Sequence, residues 1–278
     1  MAPPPSANLP LGERLVALAK TLQFGWFSGH LVLLVCIFRY ALSYITFNYY
    51  SRAARWSYRT AFFSAALTYG IVVYKTWRAR QKVGSKNPNG LVGILSDENV
   101  QYLGMALVWL LAPQYPLALL PYGIYSIFHV ATYTRSNVMP TIQPNKAPAG
   151  AKAQPNPISE AIGAFVKQYY DSSMSVVSGL EIALWIRLLV SAILFQSRSW
   201  ILFLLYTAFL RARFSQNSHV QNSFGALETR VDSLVGSQGT PPVARSVWDG
   251  VKGGARQFHA YTDASRYMGG SGAPKKTS

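Results

Sequence analysis

The chain has 278 residues, half of them hydrophobic and 14% aromatic, and it carries 26 Lys plus Arg against 10 Asp plus Glu for a net charge of +16. Only 13% of the residues are charged, against about 25% in an ordinary soluble domain, which excludes a soluble globular class. The basic surplus flanks apolar runs and lines no recognisable nucleic-acid fold, so the expected partner is a lipid bilayer with an anionic surface, and no nucleic acid is expected.

Residues 1–20 begin with a Pro-rich stretch and lack the compact basic-then-apolar pattern of a cleavable signal. Leu11, Leu15, Leu18 and Leu22 are spaced 4, 3 and 4, which predicts a short cytosolic amphipathic helix. A membrane domain is expected over 21–212, with apolar regions at about 21–47, 56–77, 99–134 and 182–210. The first is uncharged from Thr21 to Phe38. Arg39 then interrupts it, and Tyr40, Tyr44, Phe47, Tyr49 and Tyr50 read as an interfacial belt beside a snorkelling arginine. The single Cys36 lies in this region, so no disulfide framework exists and a packing role is expected. Arg52, Arg55 and Arg59 precede the second region, whose uncharged part runs from Thr60 to Tyr74 between Trp56 and Trp77. The two regions predict a helical hairpin. The loop that follows holds Lys75, Arg78, Arg80, Lys82 and Lys86 and is expected to be cytosolic.

From Asn99 to Thr134 the chain runs 36 residues without a charge. About 20 apolar residues cross a bilayer once, so this run is too long for one span. Pro113, Pro116 and Pro121 interrupt it, and a break is expected at Ala112–Pro116. A hairpin of two half-length helices and one kinked span with a surface extension both fit. A linker is expected over 135–157. An amphipathic helix over 158–177 follows, capped by Asn156 with Pro157 in its first turn and carrying Ile158, Ile162, Phe165, Tyr169 and Tyr170 on one face. Arg187 and Arg198 divide the fourth apolar region, and a single span or a hairpin turning at Gln196–Ser199 both remain open.

A basic C-terminal tail is expected over 213–278. Val220, Phe224, Leu227, Val231 and Leu234 predict an amphipathic helix over 216–235. A second is predicted over 243–262, where Val243, Val247, Trp248, Val251 and Phe258 form an apolar side accompanied by Arg245, Lys252 and Arg256. Apolar and basic residues so combined suit an interfacial helix on anionic lipid. Lys275 and Lys276 sit at the fourth and third positions from the C-terminus. They resemble the dilysine retrieval signal of endoplasmic-reticulum membrane proteins, which is read on a cytosolic end.

Catalytic signals are sparse. The four histidines (30, 129, 219 and 259) are scattered, no metal site or cofactor is expected, and no phosphate loop or nucleophile elbow occurs. No acidic residue lies within the apolar runs, which speaks against proton-coupled transport. Asp97 and Glu98 are expected to cap a helix and offset its dipole. The expected fold class is an all-α membrane protein of multi-spanning helices and helical hairpins with amphipathic interfacial helices. Its competing function class is a membrane enzyme or transporter acting on lipids or ions through a polar cavity near Arg39, Arg187 and Arg198.

Two blocks carry a resemblance. Residues 95–110 include Asp97, Glu98, Asn99, Gln101 and Tyr102, and residues 119–133 include Pro121, Tyr122, Tyr125 and His129. They resemble the signature of the transmembrane protein 33 family, which includes the fungal pore membrane proteins, and the similar arrangement extends from about residue 15 to 212. The resemblance implies a multi-pass, non-enzymatic protein of the endoplasmic reticulum and nuclear envelope. It further implies association with reticulon-type curvature proteins, tubule organisation and nuclear pore complexes, hence nucleoporins. An import receptor bound through a basic tail is also implied, although this tail lacks a dense Lys/Arg cluster. Shaping or stabilising curved membrane is the function expected.

Overall fold

The computed structural model describes residues 9–82, 90–144 and 156–262. Every regular element among them is helical. The chain divides into two compact units, Met1–Arg213 and Phe214–Ser278.

The first unit opens with α1 (Leu11–Ala19), α2 (Leu22–Ile45) and α3 (Arg52–Lys82). Thr21 separates α1 from α2: its hydroxyl accepts from the Phe24 amide at 3.1 Å and donates to the Leu18 carbonyl at 2.7 Å. At 24 residues α2 is about 36 Å long, more than the hydrocarbon core requires. The turn into α3 places Phe47 at φ 54, and the two helices pack as a hairpin. Small residues set their approach. Ala54, Ala61 and Ala65 are fully buried, and a Cβ on Gly29 would fall 2.5 Å from Thr68 Cγ2. Without a hydrophobic driving force between helices in lipid, close backbone approach of this kind supplies much of the association.

A short helix α4 (Gly90–Leu95) leads to α5 (Glu98–Leu111) and α6 (Pro116–Tyr133). The long uncharged run is therefore broken at 112–115 and forms a hairpin. Its antiparallel pairing is fixed by the Tyr122 hydroxyl, which donates to the Tyr102 carbonyl at 2.9 Å. The prolines leave backbone groups at the break without helical partners. Side chains of the first hairpin satisfy them. Arg59 Nη1 donates to the Trp109 carbonyl at 2.9 Å and also to that of Leu110. The Tyr58 hydroxyl accepts from the Tyr115 amide at 3.1 Å, and Tyr40 donates to Gln114 Oε1 at 3.0 Å. Arg59, legible in the sequence only as a flanking charge, is thus the cap of the break.

After a π-helical turn (Thr134–Val138) and α7 (Met139–Ile142), the chain re-enters with α8 (Pro157–Ile193) and α9 (Ser199–Gln216). Asn156 caps α8, accepting from the Ile158 and Ser159 amides at 2.9 and 3.3 Å. The structure alters the boundaries expected here. The amphipathic segment 158–177 and the start of the apolar region at 182 belong to one uninterrupted helix of 37 residues. No turn signal lies between them, and burial of Met174, Val177 and Ser178 carries the packed face across the junction. The fourth apolar region resolves as a hairpin. Phe195 and Arg198 turn at φ 52 and 61, and the Trp185 indole donates to Thr207 Oγ1 at 2.9 Å across it. Among the described residues, α2 and α8 are the helices long and apolar enough to cross a membrane by length and composition.

Cross-contacts align the three hairpins. Tyr58 reaches Tyr115 near the turns, whereas Tyr69 stacks on Tyr102 at 5.4 Å nearer the opposite end. His30 meets Ser126, Trp109 meets Tyr206, and Tyr102 meets Phe209. The turns at 46–51, 112–115 and 194–198 therefore share one end of the bundle.

The second unit is a hairpin of α10 (Ser218–Val235) and α11 (Pro242–Tyr261), turned through Gly239 at φ 101. Asn217 caps α10 by accepting from the His219 and Val220 amides.

Removing the cap should loosen the break. Arg59→Met should lower stability by about 1–3 kcal/mol, the cost of leaving buried carbonyls unpaired, whereas Arg55→Met on the exposed side should change it little. Thermal unfolding of the detergent-solubilised chain, followed by size-exclusion fluorescence, checks the difference between the two variants.

Candidate functional site

Arg213, near the end of α9, is 1% exposed, and its guanidinium is the centre of a polar cluster inside an otherwise apolar bundle. Nη1 donates to Glu98 Oε1 at 2.6 Å, Nη2 to the Tyr125 hydroxyl at 3.2 Å, and Nε to Glu181 Oε2 at 3.5 Å. Cζ lies 5.2 Å from the centroid of the Tyr102 ring. The Tyr102 hydroxyl donates to Glu181 Oε1, and Glu181 is itself 1% exposed. One guanidinium therefore ties α5, α6, α8 and α9 together. A buried charge is tolerable only when paired and hydrogen-bonded, and the planar fork of arginine can serve several acceptors at once.

Two residues of this cluster were not legible as functional. Glu181 stands one position before the expected apolar region, and Arg213 one position beyond the expected membrane domain. The reading that the apolar runs hold no acid therefore needs correcting, because α8 continues through Glu181 and buries it. The available signal was isolation: Glu181 is the sole acid between Asp171 and Glu228. The basic residues proposed to line a polar cavity do not do so. Arg39, Arg187 and Arg198 are all exposed, since each lies on an outer helix face or in a turn.

The signature residues divide between the cluster and neighbouring contacts. Asp97 caps α5, its carboxylate accepting from the Asn99 amide at 2.9 Å and facing Arg80 at 3.5 Å. Glu98, expected to offset the dipole, also binds Arg213. Gln101 Nε2 donates to the Leu95 carbonyl at 2.9 Å. Pro121 and Tyr122 are buried within α6. His129 packs its ring 5.0 Å from Trp26 and 4.7 Å from His30. His30 Nδ1 lies 2.8 Å from Ser126 Oγ. Beside the ion pairs is a cavity of about 280 Å³, lined by Trp26, Glu98, Tyr102, Tyr125, His129 and Tyr170 among others. Among the described residues, no group of three His, Cys, Asp or Glu could hold a metal ion.

In the second unit the residues singled out for membrane contact divide between two faces of α11. Val243, Val247, Val251 and Phe258 are exposed along one stripe, which Tyr261 extends. Trp248 and Lys252 turn instead to α10: the indole donates to Asp232 Oδ1 at 2.6 Å and Nζ at 2.8 Å. Arg256 pairs with Glu228 at 3.6 Å, and Arg245 donates to the Ser237 carbonyl. The Lys252 and Trp248 bonds hold the Asp232 carboxyl below its ordinary range, and the Asp232 bond raises Lys252. Lys275 and Lys276 lie outside the described residues.

An all-α membrane bundle tied by one buried ion-pair cluster, in which the signature residues Glu98, Tyr102 and Tyr125 take part, defines the class. The family follows from comparison: the chain belongs to the Transmembrane protein 33/Nucleoporin POM33 family, whose model matches residues 13–258. It is 65% identical over 285 aligned positions to Nucleoporin POM33 of Chaetomium thermophilum, covering 99% of each chain. It is 32% identical to Tetra-spanning protein 1 of Schizosaccharomyces pombe, covering 94% of this chain and 92% of that one. Pore membrane protein of 33 kDa from Saccharomyces cerevisiae is 27% identical, over 89% of this chain and 87% of that one. No solved structure matches.

The α10–α11 tie should be flat across neutral pH. With the Asp232 pKa depressed, its contribution is complete above the unfolded value near about 3.9 and is lost as pH falls through the folded one. With the Lys252 pKa raised, its contribution is complete below about 10.4 and is lost only as pH rises beyond that. Spin labels at Ala226 and Ala255 in a Cys36→Ser background should give one narrow distance distribution at pH 5–9. It should broaden below about pH 4.

Proposed function

We propose that this chain is a non-enzymatic integral protein of the nuclear envelope and the contiguous endoplasmic reticulum, placed at the curved membrane of nuclear pores and acting to stabilise that curvature. The observation that carries the reading is the stripe of α11, where five apolar side chains stand exposed along one face and basic residues occupy the other. Full burial of such side chains in the headgroup–acyl boundary contributes about 1.5–3 kcal/mol each for Val and Phe, and insertion of this kind is curvature-sensitive. The names of the Chaetomium and Saccharomyces relatives, a nucleoporin and a pore membrane protein, support the location and make nucleoporins the natural partners.

The bundle adds a second contribution. Its hairpin turns share one end, so the last turn of α3 and the first turns of α8 and α1 share the other. The basic residues after Tyr74 make that other end cytosolic, and the basic tail is assigned there too. At 14 residues, α5 is about 21 Å long, shorter than the roughly 30 Å core. The α5–α6 hairpin therefore enters from the cytosolic side and turns within the bilayer, where Arg59 and Tyr58 satisfy backbone groups of the turn and Tyr40 the Gln114 side chain. Hairpin and interfacial helix together fill more of the cytosolic leaflet than the lumenal one.

The full-length chain, reconstituted in giant vesicles from which narrow tubes are pulled, should be enriched on the tube, and increasingly so as the radius falls. A variant with Val247, Val251 and Phe258 changed to Ser should lose most of that enrichment. Lipid turnover and ion flux should stay at the level of empty vesicles. Equal density on tube and vesicle would overturn the curvature reading, and protein-dependent turnover or flux would overturn the non-enzymatic one.

A further inference from the structure

The cavity beside Arg213 has the chemistry of a cation-binding cage. Its walls include the rings of Trp26, Tyr69, Tyr102, Tyr125 and Tyr170, and Glu98 is the acid that lines it. Glu98, half-exposed at the cavity, pairs with Arg213 through one carboxylate oxygen at 2.6 Å. Arg213, behind the cavity lining, sits over the Tyr102 ring, a cation–aromatic contact in the same desolvated setting. Aromatic faces attract cations through the ring quadrupole, and several rings around one carboxylate favour a quaternary ammonium, which has no N–H donors to leave unpaired.

We propose that this cavity receives the quaternary ammonium of a phosphatidylcholine headgroup from the surrounding bilayer. Size and position select the headgroup. About 280 Å³ lies just below the range of about 300–1,000 Å³ typical of pockets for drug-sized ligands, so it holds a small group and not acyl chains. Glu98 and Asn99 open α5, and His129, Thr132 and Tyr133 close α6, so the cavity lies where the uncharged helices end. That is the depth at which Trp and Tyr mark the membrane interface and at which lipid headgroups sit. The inference uses the membrane placement of the bundle and is independent of the curvature reading.

The test begins with the unaltered full-length chain in detergent, examined by native mass spectrometry. The probes are phosphatidylethanolamine, its mono- and dimethyl derivatives and phosphatidylcholine, all with the same acyl chains. Retention should rise with each methyl group, with phosphatidylcholine held about tenfold more tightly than phosphatidylethanolamine. Equal retention across the series would overturn the proposal, and it requires no variant to fold. Trp26→Leu combined with Tyr170→Leu should bring the preference close to one while the circular dichroism spectrum is kept, and Trp26→Phe should leave it intermediate. A preference unchanged in the double variant would place the lipid elsewhere and overturn the site. Choline at millimolar concentration should compete with phosphatidylcholine. A trimethyl-lysine peptide that displaces the lipid at far lower concentration than choline would assign the cage to a protein partner and overturn the lipid assignment.

Discussion

A single guanidinium sets the terms for the rest of the bundle. Arg213 is removed from solvent at the end of a largely apolar helix, and leaving it unpaired there would cost several kcal/mol. Its partners arrive from three other helices: Glu98 from α5, Tyr125 from α6 and Glu181 from α8. Pairing them fixes the register of α9 against α8 and brings that hairpin against α5 and α6. Tyr102 is buried among these groups, bonded to Glu181 and stacked on Tyr69 of α3, so the first hairpin is drawn into the same arrangement. The helix interfaces elsewhere combine buried alanines, a glycine and aromatic edges with single hydrogen bonds such as Tyr122 to the Tyr102 carbonyl and Trp185 to Thr207. The ion-pair cluster adds charged, directional bonds that join four helices at one point.

The bilayer imposes the complementary constraint on the backbone. Any break in a helix within hydrocarbon exposes carbonyls and amides that water cannot reach. The α5–α6 turn meets this demand with side chains borrowed from α2 and α3. Arg59, Tyr58 and Tyr40 cover Trp109, Leu110, Tyr115 and Gln114. The turn of one hairpin is thus satisfied by side chains of another. The tail follows a different economy. Its two helices are joined by exposed ion pairs, which hold the α11 side chains Trp248, Lys252 and Arg256 against α10 and leave the valine–phenylalanine stripe facing outward.

Much of this was legible from the sequence. The charge-free run and its prolines located the break at 112–115, and Asn156 with Pro157 located the start of α8. Of the quoted signature residues, Glu98, Tyr102 and Tyr125 take part in the cluster. What the sequence did not reveal depends on long-range pairing. Glu181 and Arg213 are 32 positions apart, and neither lies in an obvious motif. Only the hairpin brings them together. The continuity of α8 across 177–182 was obscured because a surface-facing periodicity passes into a buried one without a turn residue. The division of α11 was missed because a helical wheel places Trp248 at the edge of the apolar arc, and only the partner Asp232 on α10 decides which way it turns.

The dependence of the bundle on the Arg213 cluster is measured most directly by a double-mutant cycle on the full-length chain in lipid nanodiscs. Thermal unfolding would be compared among Glu181→Gln, Arg213→Gln and the combined variant. Arg213→Gln should cost about 3–5 kcal/mol by leaving buried Glu181 without its cation, and Glu181→Gln less, because Arg213 keeps Glu98. The double change should cost less than the sum, with a coupling of about 1–3 kcal/mol. Costs that add without coupling, or single variants as stable as the unaltered chain, would contradict the claim that this ion pair holds the helices in register.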